Sequence, residues 1–198
     1  GNDESIPANS LIMGSTITVG LIYDRIMMFG WMGDSPIFRF SKFGWERLNF
    51  NDNESTARLL AGMLLEASSS EGSNALTRCV GGHYYREPCI EMHFGYVTIE
   101  PDDCILICSD GIPDYIEPES YFSSHENSQM FYINSILKTY RNDPLIDSKA
   151  LAGILISSAN RVGGGFDNLS AIIIRMNPSL GNTERAYQHL YSLSHSKK

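Results

Sequence analysis

Hydrophobic and polar positions change rhythm several times along this chain. Residues 15–24 (STITVGLIYD) and 25–33 (RIMMFGWMG) are two apolar-rich runs joined through Tyr23-Asp24-Arg25, which predicts a β-hairpin. Gly33-Asp34-Ser35 breaks the second run. PIFRF (36–40) then resumes strand character, and WERLNF (45–50) reads as a further short strand. From Ser55 to Glu66 the period becomes helical, with Ala57, Leu60, Ala61, Leu64 and Leu65 on one face and Asn53 or Ser55 as the cap. SSSEGSN (68–74) is a loop. EMHFGYVTIE (91–100) alternates again at Met92, Phe94, Tyr96 and Thr98. After the turn at Pro101-Asp102-Asp103, CILIC (104–108) is a short, wholly apolar run that predicts a buried strand. Residues 127–141 and 148–161 are apolar at i, i+3 and i+4 and predict two helices. Gly163-Gly164-Gly165 is a loop, and LSAIIIRM (169–176) is the last core strand. Strands, helix, strands, helices and strand in that order predict an α+β fold with hairpin-linked antiparallel sheets rather than a βαβ fold.

Length sets the scale of the molecule: 198 residues suffice for one domain with a real core. The formal net charge of −8 disfavours nucleic acid or an anionic membrane as the main partner. No apolar run reaches the length of a transmembrane helix, and no signal peptide is visible. The four cysteines, Cys79, Cys89, Cys104 and Cys108, form no CxxC pair. Cys104 and Cys108 share one face of a predicted strand but lie too far apart along it to bridge each other. All four are expected to be reduced, in a cytoplasmic protein. The five histidines form no HExxH-like array, so a histidine-based metal site is not expected.

Candidate chemistry lies at the ends of two apolar strands. Asp110 follows the strand 104–108 and precedes Gly111; Asp167-Asn168 sits between a glycine loop and the last strand. If those strands pair antiparallel, the exit of one and the entrance of the other fall at the same sheet edge, and two carboxylates converge. Carboxylates held close must take up a proton or share a cation. Hard cations such as Mg²⁺ and Mn²⁺ accept such ligands, lower the pKa of bound water and clamp phosphate. The competing reading is that both aspartates cap turns.

Five blocks in order, spread over residues 13–176, carry a resemblance: MGSTITVGLI (13–22), FGWMGDSPIFRF (29–40), NALTRCVGG (74–82), IEPDDCILICSDGIPDYI (99–116) and GGGFDNLSAIIIR (163–175). Together they resemble the metal-dependent serine/threonine protein phosphatases of type 2C, the PPM family, especially its bacterial branch. The resemblance implies a two-sheet antiparallel sandwich flanked by helices, with a binuclear Mn²⁺ or Mg²⁺ centre at one edge. It implies hydrolysis of phosphoserine and phosphothreonine in phosphoproteins, plausibly substrates of a cognate kinase, by direct attack of a metal-bridging hydroxide on phosphorus. Asp110 and Asp167 match the metal-ligand aspartates of the S-D-G and D-N signatures, with Gly111 and Asn168 beside them. Asp34 matches a motif residue close to the site and is read as structural. Asp52 falls where bacterial members often place an aspartate bound to a third, weaker metal; a solvated loop aspartate is the competing reading. Asp114 is read as helix-start chemistry. Residues 44–82 cover the mobile flap of relatives, and the whole phosphatase-like domain spans 13–176, between a polar leader (1–12) and a polar tail (177–198).

The departure from the family lies at the front. Nothing ahead of Gly14 resembles the family's phosphate-binding arginine or the strand ending in D-G-x-G-G, whose aspartate bridges the two metals. Three expectations follow. The chain is a fragment of a full phosphatase; or it is a natural short relative, a pseudophosphatase or phosphoprotein-binding module; or another chain supplies the missing strands. The missing Met start favours the fragment, and absent central strands would expose sheet edges that oligomerisation or swapping hides. A phosphatase acting on a phosphorylated anti-sigma antagonist is a further reading of the same fold.

Overall fold

The computed structural model describes residues 14–61, 75–81, 91–116, 133, 135–139, 143, 145–163 and 167–176. The polar leader, residues 62–74 and 82 of the flap (with the loop 68–74), most of the helical stretch 127–141, and the polar tail therefore lie outside the described residues.

The hairpin of residues 15–33 forms as β2 (Ile17–Tyr23) and β3 (Ile26–Met32), with full register from Ile17↔Met32 to Tyr23↔Ile26. Its two-residue turn places Asp24 at φ 54°, a left-handed position that Asp tolerates better than bulkier residues. β7 (His93–Thr98) joins the other side of β3 antiparallel, giving the sheet order β2-β3-β7. A second, four-stranded sheet has the order β5-β4-β8-β9, from β5 (Gly44–Arg47), β4 (Ile37–Ser41), β8 (Cys104–Cys108) and β9 (Ala171–Arg175), again all antiparallel. A short ladder pairs β1 (Gly14–Ser15) with β6 (Val80–Gly81).

β8 is the strand around which the layers assemble. Every one of its residues is buried, as a strand covered on both faces requires. Ile105 and Ile107 face the three-stranded sheet and pack with Met27, Phe29, Trp31, Ile37 and Ile99. Cys104, Leu106 and Cys108 face the other way and pack with Phe38 and Phe40 against helical residues. Those helices are α2 (Gly111–Ile116), a stretch at residues 135–139, and α3 (Ser148–Gly163), which buries Leu151, Leu155 and Ala159 at four-residue spacing. The order of layers is thus three-stranded sheet, four-stranded sheet, helices. This is the expected antiparallel α+β sandwich.

The helix expected over 55–66 is described as α1 (Glu54–Leu60), with the Asn53 side chain accepting from the Thr56 N–H at 2.9 Å. It buries no residue among those described, so its apolar face does not belong to either core. Among the described residues no helix is long and apolar enough to cross a membrane.

Candidate metal centre

The register of β8 with β9 decides where the two aspartates fall. Cys108 pairs with Ala171, so the exit of β8 and the entrance of β9 lie side by side. Ser109 pins the two chain ends together. Its N–H donates to the Ser170 carbonyl at 3.0 Å, its hydroxyl donates to the Asn168 carbonyl at 3.2 Å, and the same Oγ accepts from the Ser170 N–H at 3.0 Å. Sequence reading missed this residue, although serine beside an Asp-Gly turn is a common backbone bonder.

Gly111 lets the two carboxylates approach. A Cβ there would stand 2.8 Å from Asp167 Oδ2 and 2.7 Å from Leu169 Cδ2, closer than side-chain atoms tolerate. Each aspartate also turns one oxygen back on its own loop. Asp110 Oδ1 accepts from the Gly111 N–H at 3.0 Å, and Asp167 Oδ1 accepts from the Asn168 N–H at 2.7 Å. Asp110 is half-buried, while Asp167 and Asn168 are exposed.

A third carboxylate joins them. Asp34, in the turn after β3, has its pKa raised from 3.8. Burial is the largest cause, and the negative charge of Asp110 adds to it; the Asp34 backbone hydrogen bond and Arg47 pull the other way, and Asp167 raises it further. Asp34, Asp110 and Asp167 therefore share one electrostatic neighbourhood. Arg47 is the cation beside it, with Nη2 donating to the Asp34 carbonyl at 3.4 Å and to Asn51 Oδ1. No motif in the sequence singled out Arg47, because its position depends on the β4–β5 turn.

Asp52 lies elsewhere in the same edge region and is not solvated: it is 5% exposed. Its Oδ2 accepts from the Gly33 N–H at 3.0 Å, its N–H donates to the Gly33 carbonyl at 3.0 Å, and its Oδ1 pairs with His93 Nε2 at 2.8 Å. The solvated-loop reading of Asp52 is thus corrected, because its loop folds back onto the turn that carries Asp34. His93 is stacked on Trp31, with ring centroids 4.9 Å apart, and meets Phe50 edge-on at 4.8 Å. The histidine had no partner visible in sequence, since Asp52 is forty-one residues away.

The donor chemistry at the Asp110–Asp167 edge is all carboxylate oxygen, which suits a hard divalent cation rather than zinc. Mutual repulsion among the three aspartates is what such a cation relieves. Among the described residues, however, no three His, Cys, Asp or Glu side chains stand ready as a metal cage. The residues fit part of a centre.

Comparison with known proteins starts from the fold. The layered sandwich matches a Streptococcus agalactiae serine/threonine phosphatase with TM-score 0.63 at 23% identity, covering 83% of this chain and 59% of that one. It matches the Mycobacterium tuberculosis serine/threonine phosphatase PstP/Ppp with TM-score 0.61 at 21% identity, over 83% of this chain and 60% of that one. Another PstP structure holds two manganese ions. In sequence, the protein phosphatase PhpP of Streptococcus pneumoniae is 27% identical over 167 residues, 83% of this chain. The chain spans 59% of the length of that curated relative. No family model matches the chain. The chain is thus similar in sequence to a bacterial protein phosphatase and shares the fold of bacterial serine/threonine phosphatases.

Proposed function

We propose that the protein to which this fold belongs hydrolyses phosphoserine and phosphothreonine in phosphoproteins, with the help of Mn²⁺ or Mg²⁺. The observation that carries this reading is the meeting of Asp110 and Asp167 across the β8–β9 register, beside Asp34. Asp110 and Asp167 would hold a divalent cation through the oxygens not committed to their own loops. When bound, the cation supplies Lewis acidity and a water of lowered pKa, the chemistry of phosphate-ester hydrolysis. Ser109 keeps the two carboxylates at fixed spacing, and Gly111 keeps the space between them clear. Asp34 stays structural, adding negative potential that draws the cation in. Asp52, with both oxygens engaged by Gly33 and His93, acts as a clamp on the Asp34 turn; a third cation there would compete with those partners. Phosphoprotein substrates of a cognate kinase, and a cytoplasmic setting, suit this reading.

A second reading has its own support. The lack of a ready three-donor cage among the described residues favours a module that binds phosphoproteins without turning them over. Calorimetry with Mn²⁺ on the 198-residue chain, run beside p-nitrophenyl phosphate turnover, separates the two. Two-site binding with turnover supports the phosphatase as it stands; single-site or weak binding without turnover supports the binding module or a half-centre completed elsewhere. Asp167→Ala should abolish the Mn²⁺ heat while changing stability by no more than about 0.5 kcal/mol, since the side chain is exposed. A variant that binds Mn²⁺ like the wild type would sink the assignment of Asp167.

A further inference from the structure

Asp52 is buried among donors. At 5% exposure its carboxylate takes its hydrogen bonds from the protein rather than from water. Oδ2 accepts from the Gly33 N–H at 3.0 Å, and Oδ1 lies 2.8 Å from His93 Nε2. A carboxylate oxygen accepts, so the ring proton of His93 sits on Nε2. Aromatic neighbours hold the imidazole in that direction: its plane lies 29° from that of Trp31, and Phe50 meets it edge-on. Arg78 stands behind the pair, with Nη1 3.2 Å from the same Nε2 and donating to the Glu91 carbonyl at 3.4 Å.

What Asp52 holds is the turn of Asp34. Besides the bond to Oδ2, the Asp52 N–H donates to the Gly33 carbonyl at 3.0 Å. Gly33 has φ 106°, and a Cβ there would meet Thr16 Cγ2 at 2.5 Å, so the turn is packed as tightly as it is bonded. On the far side of Asp34, the Ser35 carbonyl accepts from Thr18 Oγ1 at 3.2 Å and from Asn49 Nδ2 at 3.0 Å. The Ser35 hydroxyl bonds that of Thr16 at 2.9 Å. Asp34 is thus bracketed by hydrogen bonds that need no cation. A hard cation at Asp52 would call for oxygen ligands and water. Its carboxylate meets N–H donors instead, from Gly33 and His93, with the Arg78 guanidinium beyond them.

We propose that His93, backed by Arg78, is a positioning residue for the Asp34 turn. It binds the Asp52 oxygen that a third cation would bind, so the chain fixes this turn with a protein donor and takes no cation at Asp52. What this means for the Asp110–Asp167 edge rests on the phosphatase reading; the occupancy of Asp52 does not.

Counting bound Mn²⁺ by electron paramagnetic resonance on the full 198-residue chain tests it. Asp52→Asn should bind as many Mn²⁺ as the wild type, with affinity within about tenfold, the smallest loss usual for an outer-shell partner. His93→Ala combined with Arg78→Ala removes both donors and opens room for water. That variant should gain one Mn²⁺, and adding Asp52→Asn should remove the gain. His93→Gln, which returns an N–H to Asp52, should gain none. Because the double Ala variant can fail to fold, nitrogen-15 spectra of the wild-type histidine rings give a second readout. The His93 Nε2–H signal should stay unchanged under saturating Mg²⁺. Loss of one Mn²⁺ in Asp52→Asn overturns the proposal, as does a folded double Ala variant with no added Mn²⁺, or a His93 ring signal displaced by Mg²⁺. A wild type that binds no Mn²⁺ overturns the phosphatase reading alone, since the gain in the double Ala variant and the ring signal still decide for or against His93.

Discussion

Asp34 is held half-buried within reach of two like charges, and its protonation is therefore coupled to folding. Its folded-state pKa is raised above 3.8, first by burial and then by Asp110. In the window from the ordinary carboxylate range up to that raised value, the folded chain binds more protons than the unfolded one. Stability therefore falls as pH rises through that window, and at neutral pH Asp34 is a net liability in the absence of a cation. Asp34→Asn, which removes the charge and keeps the shape, should melt at a higher temperature than the wild type at pH 7 and at nearly the same temperature at pH 4. Saturating Mn²⁺ should narrow or reverse the gap at pH 7, since a cation between Asp110 and Asp167 rewards the negative charge beside it. Thermal melts at the two pH values, with and without Mn²⁺, read this directly; an Asn variant no more stable than the wild type at pH 7 without metal would show that Arg47 outweighs the burial and the like charges.

Single elements differ in how much of them the sequence revealed. The hairpin β2–β3 and the buried run of β8 were legible because two local signals agreed, an Asp turn in one case and an unbroken apolar run in the other. The pairing of β8 with β9, which brings Asp110 to Asp167, was legible only as a condition, since strand partners sixty residues apart leave no local trace. For Asp52 the sequence leaves a third-metal ligand and a solvated loop residue both open; its burial depends on Gly33, in the turn after β3, and on His93 of β7, neither of which leaves a local trace beside it. That loop ties β3, β7 and the start of α1 into one unit, with the Thr77 N–H also donating to the Asp52 carbonyl at 2.8 Å. Asp52→Ala would strand the Gly33 N–H and the His93 ring, and should cost about 1–3 kcal/mol. Asp52→Asn keeps an acceptor and should cost less. Urea unfolding of both variants checks the order, and equal losses would mean that packing rather than these hydrogen bonds holds the loop.

At the scale of the whole molecule, one strand divides two cores. Polar patterning could show that β8 is covered on both faces, but not which neighbour covers which face, because both are built from the same aliphatic and aromatic residues. The structure assigns Ile105 to the core between the sheets and Leu106, its chain neighbour, to the core under the helices, with both fully buried. Phe38 pairs with Leu106 in the β4–β8 register and lies in the same core. Proximity along the chain and proximity in packing therefore make opposite predictions about energetic coupling. Ile105→Val should cost about 0.5–1.5 kcal/mol and Leu106→Ala about 2–5 kcal/mol. Their double variant should be additive to within about 0.5 kcal/mol, because the two missing volumes share no wall. Phe38→Leu combined with Leu106→Ala should instead depart from additivity by about 0.5–3 kcal/mol, because both open the same space. Denaturant unfolding of the two double-variant cycles measures both couplings. A large coupling between Ile105 and Leu106 would mean that the sheet transmits strain between the layers, and that the two cores respond as one.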